Sequence, residues 1–433
     1  MKADALAVPS RWQVTPMGHL MDAIKDGTHG SFQRVDAGRP LLSAKNVLDG
    51  RIQISDAESQ ISDEDFASIT ANGFPAKGDL LMTIVGSIGR SCVYNLEEPH
   101  AFQRSVCFIR LDERCYPQYF EYVSQHEGFQ KELQLRAKVS AQAGVYMGDI
   151  KRIPVPLPPL DEQLDIAAYL NAETARIDRL IDAKRKLLDS LVELKSVRIT
   201  EILTGVAEDV VPTGDMWIPR IPRNWTLKRL KHLGQVRSGL AKGKKHDTGT
   251  ETRELPYMRV ANVQDGYIDL SDVATLEVAT DDVGRYSLVF GDVLMNEGGD
   301  YDKLGRGAVW EEKISPCLHQ NHVFAVRLDD PAWAPWVSAL TRTAYAKFYF
   351  MNNSKQSTNL ASISQSNVKE WPVVLPPEDI RDQLLNQMSV ELKRSDDLIE
   401  HVELELAVLE EFRSATITDA VLGRIDVREH MKN

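Results

Sequence analysis

The stretch Ile153-Pro-Val-Pro-Leu-Pro-Pro159 leads into Asp161-Glu162-Gln163 and a long charged run that ends Ile199-Thr-Glu-Ile-Leu-Thr-Gly205. A second copy reads Trp371-Pro-Val-Val-Leu-Pro-Pro377, then Asp382-Gln383, then a run that ends Ile417-Thr-Asp-Ala-Val-Leu-Gly423. Proline cannot sit inside a helix and biases its predecessor away from one, so each hinge fixes an extended entry. The following runs carry helical periodicity. In the first, Leu170, Ile177, Lys184 and Leu191 recur every seven, with Leu180, Leu187 and Leu194 as the expected companion row. In the second, Leu385, Leu392, Ile399, Val402, Leu406 and Leu409 form a similar stripe. Heptad stripes on charged helices predict coiled-coil packing. Gly205 and Gly423 fit as C-terminal stops.

The duplication extends beyond the helices. Asn46-Val-Leu-Asp-Gly50 matches Asn262-Val-Gln-Asp-Gly266, and Gly78-Asp79 matches Gly291-Asp292. Gln103 and Gln320 each lead to Arg-Leu-Asp, at Arg110 to Asp112 and at Arg327 to Asp329. The flanking segments hold short β-branched runs set off by Gly and Asp turn signals. The expected fold class is α+β: two globular domains joined by two long helices in an antiparallel coiled coil, with a pseudo-twofold internal repeat. The expected bounds are 1–160 and 224–379 for the globular domains, 161–205 and 380–423 for the helices, 206–223 for a Pro-containing linker and 424–433 for a tail.

Composition narrows the class. The chain has 433 residues, 43% hydrophobic and 26% charged, which suits a globular protein of two or three domains. No apolar run approaches the ~18 residues of a membrane span, and the first residues lack a signal-peptide core. The four cysteines, Cys92, Cys107, Cys115 and Cys317, form no C-x-x-C pair, so neither a disulfide framework nor a zinc site is expected and a cytoplasmic location fits. The net charge of −12 argues against nucleic-acid binding through overall charge, but leaves room for local basic patches.

Taken together, the duplicated domain, Pro-Pro hinge and Gln-bearing helix resemble the specificity (S) subunit of type I restriction-modification systems over nearly the whole chain. Lys25-Asp-Gly-Thr-His29 with Leu41 to Asn46 resembles one class of target recognition domain. Leu255 to Gly266, with Asn296-Glu-Gly-Gly-Asp300, Leu304-Gly-Arg-Gly307 and His319 to Phe324, resembles another. The second hinge departs from the usual form by lacking the Glu before Gln383, which bears on how that helix is capped and docked.

The resemblance implies a non-catalytic subunit in which each target recognition domain reads one half of a bipartite double-stranded DNA site. The helices then set the gap and dock two methyltransferase (M) subunits. Restriction (R) subunits join through the complex, while S-adenosylmethionine, ATP and Mg2+ belong to the partner subunits and no cofactor to this chain. The helix positions it assigns to docking or the coiled coil are Gln163, Leu170, Ile177, Leu180, Leu187, Leu191, Gln383, Leu392, Ile399, Val402, Leu406 and Leu409.

Motif absences agree. Both Pro-Pro pairs follow leucine and precede no aromatic residue, unlike the motif that holds a target amino group in DNA amino-methyltransferases. No G-x-x-x-x-G-K-[ST] loop exists to cradle ATP phosphates. His319 and His322 lack a third metal ligand, and Glu297 and Asp300 beside two glycines read as a turn. Lys and Arg neutralise phosphate or read guanine, and Asn and Gln pair with adenine edges. The DNA-contact candidates are therefore Lys25, Thr28, His29, Lys45, Arg90, Arg104 and Lys138 in the first domain. Those in the second are Lys242, Lys244, Lys245, Arg259, Asn296, Arg306, Asn321 and Lys355. The repeated Gln103 and Gln320 are expected to be scaffold, since domains that read different sequences share only their frame. The rival readings are a scaffold that bridges proteins without DNA, and an enzyme with a cleft around Asn296 to Arg306.

Overall fold

The computed structural model describes residues 7–71, 73–138, 143–205, 209–241, 250–299, 303–356 and 361–430. The chain divides into two compact units, Met1–Arg185 with Leu404–Asn433, and Lys186–Glu403. The two long helices, Leu160–Thr204 and Glu378–Val421, each contribute one part to either unit.

The first unit is built on a four-stranded antiparallel sheet of β1 (Met21–Asp26), β2 (Leu80–Thr83), β3 (Ser91–Val93) and β4 (Val106–Leu111), in the order β1-β4-β2-β3. The uninterrupted apolar run of β2 follows from the period of two along a strand. Leu80 and Met82 enter one core with Ile109 and Phe120, while Leu81 enters a second core with Tyr94 and Phe108. A sheet covered on both faces needs no polar alternation. Helix α1 (Pro117–Gln125) packs on the sheet, and strand Gln13–Pro16 pairs with the hinge Pro154–Leu157.

The second unit repeats the plan. Its sheet holds β5 (Gly234–Ser238), β6 (Val293–Asn296), β7 (Gly307–Val309) and β8 (Val323–Leu328), in the order β5-β8-β6-β7. Val293 and Met295 face one core and Leu294 another. Helix α2 (Ala334–Leu340) takes the place of α1, and Thr226–Arg229 pairs with the hinge Pro372–Leu375.

The repeated motifs turn out to be framework. Arg110 forks onto Asp79 at 2.9 and 2.8 Å, and Arg327 forks onto Asp292 at 2.8 and 2.7 Å. Asn46 and Asn262 each accept from the backbone N–H three residues earlier, at 2.9 Å, and donate to carbonyls farther on. Gly50 and Gly266 supply positive φ, +78° and +88°.

Both long helices end on the glycine the sequence marks. Gly205 has φ +78° and lies against Pro222 and Trp225, and Gly423 has φ +65° and lies against Pro9 and Trp12. In each case the Trp N–H donates to the Pro carbonyl three residues before it, at 2.9 and 2.8 Å. The N-terminal segment thus closes on the end of the second long helix within the first unit, as residues 222–225 close on the first helix within the second.

The helix seam needs one correction. In the first unit Asp178 meets Arg413 at 2.7 Å and Lys184 meets Glu405 at 2.5 Å, so the two helices run antiparallel there. In the second unit Lys195 pairs with Asp396. The buried row on the first helix includes Leu170, Thr174, Ile177 and Ile181, and continues through the half-buried Lys184, Leu188, Leu191 and Lys195. The expected companions Leu180 and Leu187 are each 42% exposed, and Leu194 is 49% exposed. Companion positions three or four after Leu170 and Ile177 are equally periodic, and packing selects four. On the second helix Leu392 and Val402 are buried, with Ile399, Leu406 and Leu409 half-buried beside them in a three-four spacing.

The hinge glutamine also differs from expectation. Gln163 is fully buried. Its amide donates to the carbonyls of Arg114 and Pro158, each at 2.9 Å, and accepts from the Tyr116 N–H at 2.7 Å. It locks the first helix to its own globular domain and presents nothing to a partner. Glu162 beside it takes Arg11 at 3.0 and 2.8 Å and the Trp12 indole at 3.0 Å. Four residues after the second Pro-Pro pair stands Arg381, whose guanidinium lies 5.0 Å over the Trp333 ring. Gln383, two residues on, is exposed.

Candidate nucleic-acid interface

The antiparallel order brings three loop connections to one end of the first sheet. Asp26 lies opposite Cys107, Val106 opposite Thr83, and Met82 opposite Ser91. The chain therefore leaves β1 into Gly27–Gly30, enters β4 from Gln103–Ser105, and connects β2 to β3 through Ile84–Arg90, all at that end. Backbone bridges tie Thr28 to Gln103, Val85 to Gly144 and Lys138 to Gly144, adding the segment before the hinge.

Most of the first domain's candidates gather here. Lys25, His29, Arg90, Arg104 and Lys138 are exposed. His29 pairs with Asp26 at 2.6 Å, and the Thr28 hydroxyl accepts from the Gly30 N–H at 3.2 Å, shaping the first loop. Lys138 sits 4.6 Å over the ring of Tyr146, which is 61% exposed. Tyr146 is a functional candidate that motif reasoning passed over. Its signal is an aromatic residue in a polar, Gly-containing segment, and an exposed ring beside a cation offers a stacking face to a base or sugar. Lys45 instead makes an ion pair with Glu58 at 2.7 Å, which holds that carboxylate below its usual range.

The second domain repeats the arrangement. Leu240 bridges to Gln320 as Thr28 does to Gln103. Gln320 N–H donates to Met258 O at 2.9 Å, and Gln103 N–H to Leu42 O at 2.8 Å. The shared glutamine backbone is therefore part of the frame. Gly298–Gly299 pairs with Ala361–Ile363, whose other edge carries Ser354–Gln356 and exposed Lys355.

Here the candidates divide. Asn321 and Arg306 are half-buried, and Arg306 donates to the Gln264 side chain at 3.1 Å. Asn296 is buried, and its amide donates to Val263 O at 3.1 Å, which sets it in the framework rather than on the exposed face. Arg259 is tied to Asp272 at 2.8 Å. His319 is buried, joined through Nδ1 to Val323 O at 2.7 Å, and burial pushes its pKa down to about 4. His322 is exposed and pairs with Glu297 at 3.1 Å. Lys242, Lys244, Lys245 and Asp300 lie outside the described residues. Among the described residues no three His, Cys, Asp or Glu side chains group as metal ligands. All four cysteines are buried and free, and burial pushes the Cys107 thiol up to about 12.

Residues 9–189 match the family model described as type I restriction modification DNA specificity domain. The chain is 22% identical to the EcoKI specificity subunit of Escherichia coli K12, over 98% of this chain and 92% of that protein. It is 20% identical to the StySPI specificity subunit of Salmonella potsdam, over the same shares. A solved chain from work on complex assembly and conformational transition of the type I restriction-modification system overlays with a TM-score of 0.68. That overlay covers 96% of this chain and 99% of the other at 15% identity. The chain belongs to the type I restriction-modification specificity subunits. As a specificity subunit it supplies DNA target recognition and is itself non-catalytic.

The framework pairs Asp79–Arg110 and Asp292–Arg327 recur in both domains of the specificity subunit, while the loops they support differ in length and side chains. Among the described residues no helix is long and apolar enough to cross a membrane.

Proposed function

We propose that each globular domain of this specificity subunit reads one half of a bipartite duplex site through the loops at its sheet end. The observation that carries the reading is that both domains build one loop cluster on one frame, with Lys25, Arg90, Arg104 and Lys138 exposed in the first and Lys355 in the second. Exposed cations anchor phosphates, and divergent loops carry base choice. The net charge of −12 supports a local contact surface completed by partners rather than a uniformly basic one.

The two long helices then act as a ruler. At 1.5 Å rise per residue, about forty-five residues of helix span roughly 65 Å, enough to bridge neighbouring major grooves about 34 Å apart. Two methyltransferase subunits dock on the helices. Support comes from apolar side chains left exposed there, including Leu180 and Phe412 in the first unit and Leu194 and Leu398 in the second. Restriction subunits join through that complex, and S-adenosylmethionine, ATP and Mg2+ act on the partners.

The test is coexpression with the methyltransferase subunit and genome-wide mapping of methylated adenines. A split sequence is expected, and about one helical turn inserted before Gly205 should lengthen its gap. Methylation at the original spacing would refute the ruler.

A further inference from the structure

The segment that leads into each hinge is built alike in the two domains and differs at one exposed position. Val145 and Ile363 are equivalent: both are buried, and their backbone N–H groups donate to Ile84 O at 2.9 Å and to Glu297 O at 2.8 Å. The residue before each lies opposite a lysine in an antiparallel pairing, Gly144 opposite Lys138 and Ser362 opposite Lys355. Both lysines are exposed.

The residue after each is Tyr146 in the first domain and Ser364 in the second. Each precedes a short helix, Met147–Ile150 or Gln365–Lys369. Their backbones agree, with φ −82° and ψ 144° at Tyr146 and φ −75° and ψ 152° at Ser364. Each helix then buries one apolar residue, Ile150 or Val368. The main chain is therefore fixed on both sides of this position in both domains.

What differs is the side chain. The Ser364 hydroxyl turns back on its own helix and accepts from the Asn367 N–H at 3.2 Å. Tyr146 is 61% exposed, with the Lys138 ammonium 4.6 Å over its ring. That contact takes one face and holds the ring in place, while the rest of the ring stays open. A tyrosine on a fixed backbone offers apolar contact area at low conformational-entropy cost. In duplex DNA, stacking on a base would require that base to leave its stack. The thymine C5-methyl, by contrast, already stands open in the major groove as an apolar contact.

We propose that Tyr146 is a specificity-determining residue of the first domain, its open ring surface covering the C5-methyl of a thymine in that domain's half-site. The inference rests on the reading that the sheet-end loops meet DNA. Lys138 and Lys355 give both domains the same phosphate-directed cation, which positions without choosing a base. Ser364 leaves the second domain without a thymine requirement at this position.

The experiment uses the full-length chain assembled with methyltransferase subunits, on a duplex carrying the split site that methylation mapping returns. Each thymine is replaced in turn by deoxyuridine, which removes only the C5-methyl. At one thymine the replacement should weaken binding about fourfold, the factor that burial of one methyl carbon provides. Tyr146→Ser, which installs the second domain's residue, should weaken binding to the unmodified site by a similar factor and abolish the response to that deoxyuridine. Tyr146→Phe should keep both the affinity and the response. If Tyr146→Ser leaves every deoxyuridine response unchanged, the proposal is overturned while the half-site reading stands, because the complex still selects its split site. Loss of the response in Tyr146→Phe would place the contact on the hydroxyl and also overturns it. A complex that binds the split site no better than an unrelated duplex overturns the half-site reading itself.

Discussion

Glu121→Gln should flatten the pH dependence of stability in the first unit. Glu121 is 2% exposed, and desolvation raises its carboxyl pKa from 4.5 to about 7, with the nearby Asp49 carboxylate adding to the rise and Arg413 opposing it. A carboxyl whose pKa is higher folded than unfolded keeps its proton longer in the native state. Its contribution is therefore fully present below pH 4.5, declines as pH rises through the window from 4.5 to about 7, and is lost above it. At 1.36 kcal/mol per pKa unit the whole shift corresponds to about 3 kcal/mol, of which roughly 2–3 kcal/mol falls between pH 5 and pH 8. For a unit of this size each kcal/mol moves the midpoint by about 2–4 °C, so the wild-type melt should fall by roughly 4–12 °C across that interval from this group alone. Glutamine keeps one acceptor for the Val93 N–H and cannot ionise. Losing the second acceptor function shifts the variant by a constant amount at every pH, so the readout is the slope. Thermal melts of both chains at pH 5, 6, 7 and 8 give the double difference directly. Parallel curves would refute the argument, because they would mean that the buried carboxyl ionises in the native state without cost.

Four other outcomes test the frame and the face. Gln163→Ala should destabilise the first unit by about 2–4 kcal/mol in chemical denaturation, since three backbone groups, one buried and two part-buried, lose their partner, whereas Gln383→Ala should stay within about 0.5 kcal/mol. Ile181→Ala should cost about 2–4 kcal/mol and Leu180→Ala under about 1, since Ile181 is 4% and Leu180 42% exposed; the reverse order would restore the companion row that periodicity first suggests. Gly423→Ala should cost about 2 kcal/mol or more by hydrogen exchange at the end of the second long helix, because φ is +65° and the new Cβ would stand 2.7 Å from Pro9 Cγ. Arg90→Ala and Arg104→Ala, assembled with methyltransferase subunits, should each reduce the salt slope of DNA binding by about 0.9 if each neutralises one phosphate; an unchanged slope places that residue off the DNA.

The parts of this molecule that could be read in advance are those whose signal is local. Proline fixes φ and removes a donor wherever it stands, so both hinges were legible, and Gly205 and Gly423 mark helix ends because their positive φ disfavours other residues. The companion row was not legible. Leu180 and Leu187 fit the heptad as well as Ile181 and Leu188, and the choice depends on the Asp178–Arg413 and Lys184–Glu405 pairs, which join residues more than two hundred positions apart. The same distance limit applies at the candidate interface. Asn296 has the side chain of an adenine reader, but its burial depends on Val263. Tyr146 looks ordinary in sequence and becomes notable only once Lys138 is seen against its ring.

Gene duplication yields two copies that start with the same core, and what each copy must keep differs from what it can vary. The Asp79–Arg110 and Asp292–Arg327 forks bury a carboxylate, and removal of either partner would strand a charge, so this position is held in both halves. The fifth position of α1 and α2 is under no such constraint. Glutamate there is a buried carboxyl held by the Val93 N–H and the Gln118 amide, whereas serine donates its hydroxyl to Gly307 O. A frame that tolerates either solution can diverge inside the domain as well as in the loops.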